Sequence, residues 1–194
     1  AADARAAPLG PLPAARAEVD AIAGLYPGRT LRLVGAEATE SRVRAALPDA
    51  GLMHFAAHAV VDGARPLDAY VQLAHAVGEP DDGRLAAWEV LSQLEINAEL
   101  VTLSACRTAR GRTLGGDGVL GLSQAFQLAG ANAVLATLWD VPDEPTAALM
   151  ARFYRALADG QDAAGALRAA QLEWLARQRK GGVWRRLARM LGRD

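Results

Sequence analysis

The sequence predicts a three-layer α/β domain with a mostly parallel central sheet flanked by helices, and three observations lead there. Short apolar, β-branched runs at 52–57, 99–105 and 132–138 alternate with amphipathic stretches of helical period, the pattern of successive βαβ units. Two of those runs stop at residues that carry chemistry, His58 and the chain's single cysteine, Cys106. At 194 residues the chain has room for one well-buried core, so one domain is expected.

Residues 1–13 are rich in Ala, Pro and Gly and have no period, which reads as a linker from a missing upstream region. The domain proper is expected over 14–180. A helix over 14–25 places Val19, Ile22, Ala23 and Tyr26 at helical spacing and ends at Pro27 and Gly28. The alternating residues 30–34 predict a first strand. Thr39 or Ser41 caps the next helix, whose face carries Val43, Ala46 and Leu47 before Pro48 stops it. After the 52–57 strand, residues 62–83 read as an irregular excursion with one strand at 70–73. A helix over 85–94 shows Trp88, Leu91 and Leu94 on one side and leads into the cysteine strand. A polar loop over 107–116 is followed by a helix at 119–128 closed by Gly130. The 132–138 strand comes next. The last two helices, over 145–158 and 163–179, are capped by Asp143 and Asp162. Residues 181–194 form a basic amphipathic tail, with Trp184, Leu187, Met190 and Leu191 on one face and Arg185, Arg186, Arg189 and Arg193 elsewhere.

Composition removes several classes of function. A formal net charge of −1 supplies no field to attract nucleic acid, and no run approaches the 18 apolar residues of a membrane span. A lone cysteine cannot make an internal disulfide and suits a cytoplasmic setting. The tail reads as a solvated helix covering a core edge, with an acidic membrane or partner as the alternative.

In an open parallel sheet, side chains leaving the carboxyl ends of the strands meet ligands in the crevice there. Cys106 ends one strand and His58, 48 residues upstream, ends another, so the two would face each other across one sheet edge. A free thiol ionises near about pH 8.5 and the thiolate is the attacking species, so a catalytic cysteine needs a base, which His58 can supply. The competing reading is a small buried hydrophobe.

Ala105, Cys106 and Arg107 with a histidine about 50 residues upstream echo the caspase pattern. More specifically, His54-Phe55-Ala56-Ala57-His58 and Leu103-Ser104-Ala105-Cys106-Arg107-Thr108-Ala109-Arg110-Gly111 resemble the two signature blocks of CHAT-domain peptidases, bacterial cousins of caspases and separases. The blocks from Gly116 to Leu122, from Ala125 to Ala131 and from Leu138 to Glu144 resemble that family in the same order. The resemblance implies a caspase-haemoglobinase-like sandwich and a cysteine endopeptidase acting on protein or peptide substrates. Cys106 would be its nucleophile and His58 its acid/base. The backbone N–H groups of Ala59 and Cys106 would hold the oxyanion. It also implies an upstream tetratricopeptide repeat domain and requires no cofactor or metal. Ala59 stands where the family carries glycine; alanine keeps the N–H but resists positive φ, so activity requires a sterically ordinary turn there. Two alternatives remain, a catalytically silent interaction or signalling module and a small-molecule hydrolase or transferase using the same cysteine.

For the substrate pocket, the end of the 132–138 strand brings Trp139, Asp140 and Asp143 toward the dyad, and an acidic residue there would favour a basic side chain before the cut bond. The competing reading makes Asp143 a helix cap and Asp140 a solvated side chain. Gly116, Gly118 and Gly121 formally satisfy a dinucleotide fingerprint, but the preceding strand ends ten residues too early for the tight strand-turn-helix it requires. His54 and His58, four apart, would ligate zinc only from a helix, and their run reads as strand; His54 is expected to be a buried, hydrogen-bonded structural histidine. His75 is left without a role.

Overall fold

In the computed structural model, residues 10–61, 65–78, 80–104, 107–109, 117–137 and 143–180 are described. The elements in chain order are α1 (Ala15–Ala23), α2 (Glu40–Ala46), β1 (Leu52–Phe55), β2 (Ala59–Val61), β3 (Tyr70–Gln72), β4 (Arg84–Ala86), α3 (Ala87–Gln93), β5 (Leu100–Leu103), β6 (Arg107–Ala109), α4 (Asp117–Leu128), β7 (Val134–Ala136), α5 (Asp143–Ala158) and α6 (Ala163–Lys180). The architecture is mixed α/β. One sheet has the order β1-β5-β7 and is wholly parallel; the other runs β4-β3-β2-β6, with β2 and β6 parallel and β3 antiparallel to both β2 and β4.

Strand residues alternate between two apolar clusters, as a period of two demands. Met53, Phe55, Val101 and Leu103 pack with Val43 of α2, Val90 of α3 and Phe126 of α4. Leu100 packs with Ile22 of α1, Met150, Phe153 and Tyr154 of α5, and Ala166 of α6. Helices therefore cover both faces of the parallel sheet. The residues that form the elements largely explain their ends: Thr39 accepts from the Arg42 N–H at the start of α2, and Asp162 accepts from the Gly165 N–H at 2.7 Å at the start of α6.

Four expectations are corrected. Residues 30–34 form no strand: Arg32 is paired with Asp20 of α1, Leu31 is exposed, and none of the described strands offers them a ladder, without which alternation makes no sheet. The inward side of α3 is Ala87 and Val90, leaving Trp88 47% and Leu91 40% exposed, because β4 occupies residues 84–86 and the helix starts two residues late. The segment after the cysteine is not all loop, since residues 107–109 are β6. Asp143 is the first residue of α5 rather than the residue ahead of it. The tail at 181–194 lies outside the described residues.

Gly121, the last glycine of the apparent dinucleotide fingerprint, has a packing explanation. A Cβ there would run into the carbonyl of Pro66, so glycine lets α4 press against the turn at residues 66–68. In an exposed helix, Gly to Ala gains about 1 kcal/mol. Here the clash is with backbone and outweighs that gain. Gly121→Ala is expected to destabilise the fold by about 1–3 kcal/mol in urea denaturation; a stabilised variant would show that α4 and the turn are not in contact.

Across α2 and α3, Arg44 is shared by two carboxylates. Its guanidinium bonds Glu40 at 2.8–2.9 Å, Glu89 at 2.7 Å and the Gln93 side chain at 3.0 Å. Glu89 also accepts the Ala86 N–H at 2.8 Å, which fixes the start of α3. Burial of Glu40, only 2% exposed, lifts its carboxyl above the ordinary range; the Arg44 bond pulls it back, and the Glu89 charge adds to the lift. A raised folded-state value means that the folded chain binds more protons than the unfolded one. Glu40 therefore costs stability as pH rises from about 4.5, where an unshifted glutamate titrates, through its own raised value. Melting temperatures measured between pH 4 and 7 should fall for the wild type relative to Glu40→Gln; parallel profiles would show that Glu40 is not desolvated.

Candidate active site

The site grows out of the pairing between two strand lines. Leu52 to Phe55 pair in parallel with Leu100 to Leu103, and Ala59 to Val61 with Arg107 to Ala109, each partner standing 48 residues further on. On the first line the ladder stops after Phe55 and resumes at Ala59; on the second it stops after Leu103 and resumes at Arg107. The two interruptions are in step, since the offset of 48 is the same on either side of them. Beyond them the neighbour of β2 changes: β3 joins it antiparallel, and the Gln72 N–H donates to the His58 carbonyl at 2.8 Å.

His58 sits in the first interruption, three residues beyond β1 and directly before β2. Its Nε2 is 2.6 Å from the Gly10 carbonyl, in the segment that leads into α1. A carbonyl only accepts, so Nε2 carries the proton. Nδ1 is buried and has no hydrogen-bond partner among the described residues. A neutral imidazole with Nε2–H donated away presents a basic lone pair at Nδ1. In the second interruption, Ser104 is 9% exposed, and its Oγ is likewise buried with no partner among the described residues.

Ala59 opens β2 opposite Arg107 and Val71. No described non-glycine residue has a positive φ, so alanine after the histidine occupies an ordinary extended conformation and imposes no strain. Cys106, Trp139 and Asp140 lie outside the described residues, and of Asp143 the structure gives only its place at the start of α5.

His54, four residues before His58, is hydrogen-bonded as expected for a structural residue, though only part-buried. Its Nε2 is 2.8 Å from Glu18 of α1, its Nδ1 is 3.1 Å from the Tyr154 hydroxyl of α5, and Tyr154 donates to Thr102 at 2.8 Å. Thr102 is the register partner of His54, so the chain of bonds closes across the β1/β5 pair. Burial holds the Tyr154 phenol far above its ordinary range, which keeps it a neutral donor. Sequence reasoning missed Glu18 and Tyr154 because both sit on otherwise apolar helix faces; a carboxylate inside the apolar stripe of α1 was the available signal. His75 donates from Nδ1 to the Asp81 carbonyl at 2.9 Å, a local turn contact away from the site.

Beyond the histidine, β2 borders an open cavity of about 510 Å³ in which Val60 and Val61 meet Asp68, Asp81, Arg65 and Arg84. No described helix is long and apolar enough to cross a membrane.

The chain is 31% identical to tetratricopeptide repeat protein 28 of Mus musculus and 32% identical to tetratricopeptide repeat protein 28 of Homo sapiens, each match covering 81% of this chain. The matched region spans 8% of the length of those relatives. The family model described as CHAT domain matches residues 1–184, nearly the whole chain and both interrupted strand lines within it, and the chain belongs to the CHAT-domain family.

Proposed function

We propose that this chain is a cysteine endopeptidase domain of the caspase-like kind, on a full caspase-haemoglobinase-like sandwich over residues 14–180. Its nucleophile is Cys106 and its acid/base is His58. The observation that carries the reading is the common register. Ala59, bonded to His58, pairs with Arg107, bonded to Cys106, and the offset of 48 between the two chemical residues is the one obeyed by every pair on either side. The protonation pattern of His58 supports the same reading, since donation from Nε2 to Gly10 leaves Nδ1 as the base.

The chemistry follows without a cofactor. The Cys106 thiol gives its proton to His58 Nδ1, and the thiolate sulfur bonds to the substrate carbonyl carbon. The tetrahedral oxyanion is held by the backbone N–H groups of Cys106 and Ala59, where the extended conformation of Ala59 presents no steric obstacle. The C–N bond breaks as the imidazolium returns the proton to the leaving amine. Water, deprotonated by His58, then attacks the thioester, which releases the carboxyl product and restores the thiol. Trp139, Asp140 and Asp143 are the proposed substrate pocket, favouring a basic side chain before the cut bond. A repeat-containing partner region is also proposed, because the relatives above are tetratricopeptide repeat proteins by name. The same likeness supports a second reading, a catalytically silent interaction module attached to such repeats.

Peptide acyloxymethyl ketones followed by intact mass separate the two. A single adduct is expected on Cys106, strongest with Arg or Lys before the warhead. It should be absent in Cys106→Ala and form at least about 100-fold more slowly in His58→Ala. A folded chain that stays unlabelled, alone and when fused to a tetratricopeptide repeat region, would leave the silent module standing.

A further inference from the structure

Two histidines four apart on one strand line are both held by one short stretch of chain. Gly10 accepts from His58, and Glu18 is paired with His54. Between them, the Ala15 N–H bonds the Leu12 carbonyl at 3.2 Å and the Glu18 N–H bonds the Ala14 carbonyl at 2.9 Å, so residues 12–18 form a stiff turn running into the first turn of α1. Resting on the reading of His58 as the acid/base, we infer that Glu18 and His54 are positioning residues that anchor α1, so that the Gly10 carbonyl stays on His58 Nε2 and Nδ1 stays the base.

The physical argument is one of direction. Ile22 and its neighbours attach α1 to α5 through apolar contact, which is non-directional and tolerates sliding along the helix axis. A directional hydrogen bond between side chains does not. Glu18 is 3% exposed, and burying polar groups costs desolvation that apolar side chains of equal volume would avoid. What it adds is a fixed position, at the end of α1 nearest Gly10. His54 is itself fixed on its other nitrogen by Tyr154, which is anchored on Thr102, the residue abreast of His54. The anchor is therefore referenced to the same strand pair that carries the site. Removing it leaves α1 attached but lets the Gly10 carbonyl drift, and a donor–acceptor distance of 2.6 Å has little room for drift.

The test reads the His58 ring proton directly, by NMR of protein labelled with ¹⁵N-histidine. The Nε2–H resonance, assigned by its loss in His58→Ala, is expected to be visible in the wild type and protected from exchange with water. In the double variant Glu18→Met with His54→Leu, which fills the space without a directional bond, exchange should speed by about tenfold or more, because the bond to Gly10 opens locally more often. Glu18→Gln keeps an acceptor for His54 Nε2–H and should restore protection. A protected resonance in a folded double variant would overturn the inference, as would absence of protection in the wild type. Should the double variant not fold, Glu18→Ala reads the same proton. Labelling of Cys106 is measured separately on each variant. An unreactive wild type with a protected His58 proton would count against the peptidase reading and leave the anchor intact.

Discussion

The parallel pairing of β1 with β5 is the constraint on which the rest depends. Register in a two-sided buried sheet is strongly specified, because a slip of one residue turns every side chain to the opposite face. Here a slip would turn either Met53 and Phe55 or Val101 and Leu103 away from the cluster around Phe126. It would also separate His54 from Thr102, and with it the bond chain through Tyr154. Apolar burial and polar bonding agree on one alignment. That alignment survives the interruption and reappears between β2 and β6, so the two gaps in the ladder fall side by side rather than on different levels.

Within this frame each face carries its own directional bonds. The Glu18, His54, Tyr154 and Thr102 chain sits beside an otherwise apolar cluster, and losing one member of such a chain leaves a buried polar group unsatisfied, at a cost of about 1–3 kcal/mol. The opposite face has the Arg44 bonds to Glu40 and Glu89 and a close backbone approach where glycine at 121 admits Pro66. The face with the His54 bonds is the one approached by α1, whose leading segment reaches His58.

Much of this was readable from residues alone, for physical reasons that differ by element. The run at 100–103 is buried along its length and that at 52–55 at alternate residues, and both stand out as strands. α5 and α6, the two longest helices, announce themselves by period and by Asp162. β2, β4 and β6 have three residues each, too few for a period of two to show. Residues 30–34 alternate well and still form no strand, since a ladder needs a neighbour that local sequence cannot reveal. The hydrogen-bonded structural role of His54 was predictable from its strand, whereas His58, expected at the end of a 52–57 strand, stands between β1 and a short β2 that the sequence did not reveal. Glu18 and the Gly10 carbonyl were not predictable: one is a carboxylate hidden among helix residues, the other a backbone atom of a residue with no side chain to read.

The alanine after His58 shows how a departure from a family pattern should be weighed. Glycine is required where φ is positive or where a Cβ would strike a neighbour. Gly130, at φ 119° and with a Cβ that would run into the Ile96 carbonyl, meets both conditions. Position 59 meets neither demand on conformation: its backbone is extended and lies within a strand paired on both sides. The step from glycine to alanine there leaves the backbone of the histidine where β3 holds it, with Gln72 on its carbonyl. His58 is thus fixed by its main chain from one side of the gap and by its ring from the other, through segments separated by about sixty residues of sequence, and the orientation of its ring depends on both arriving together.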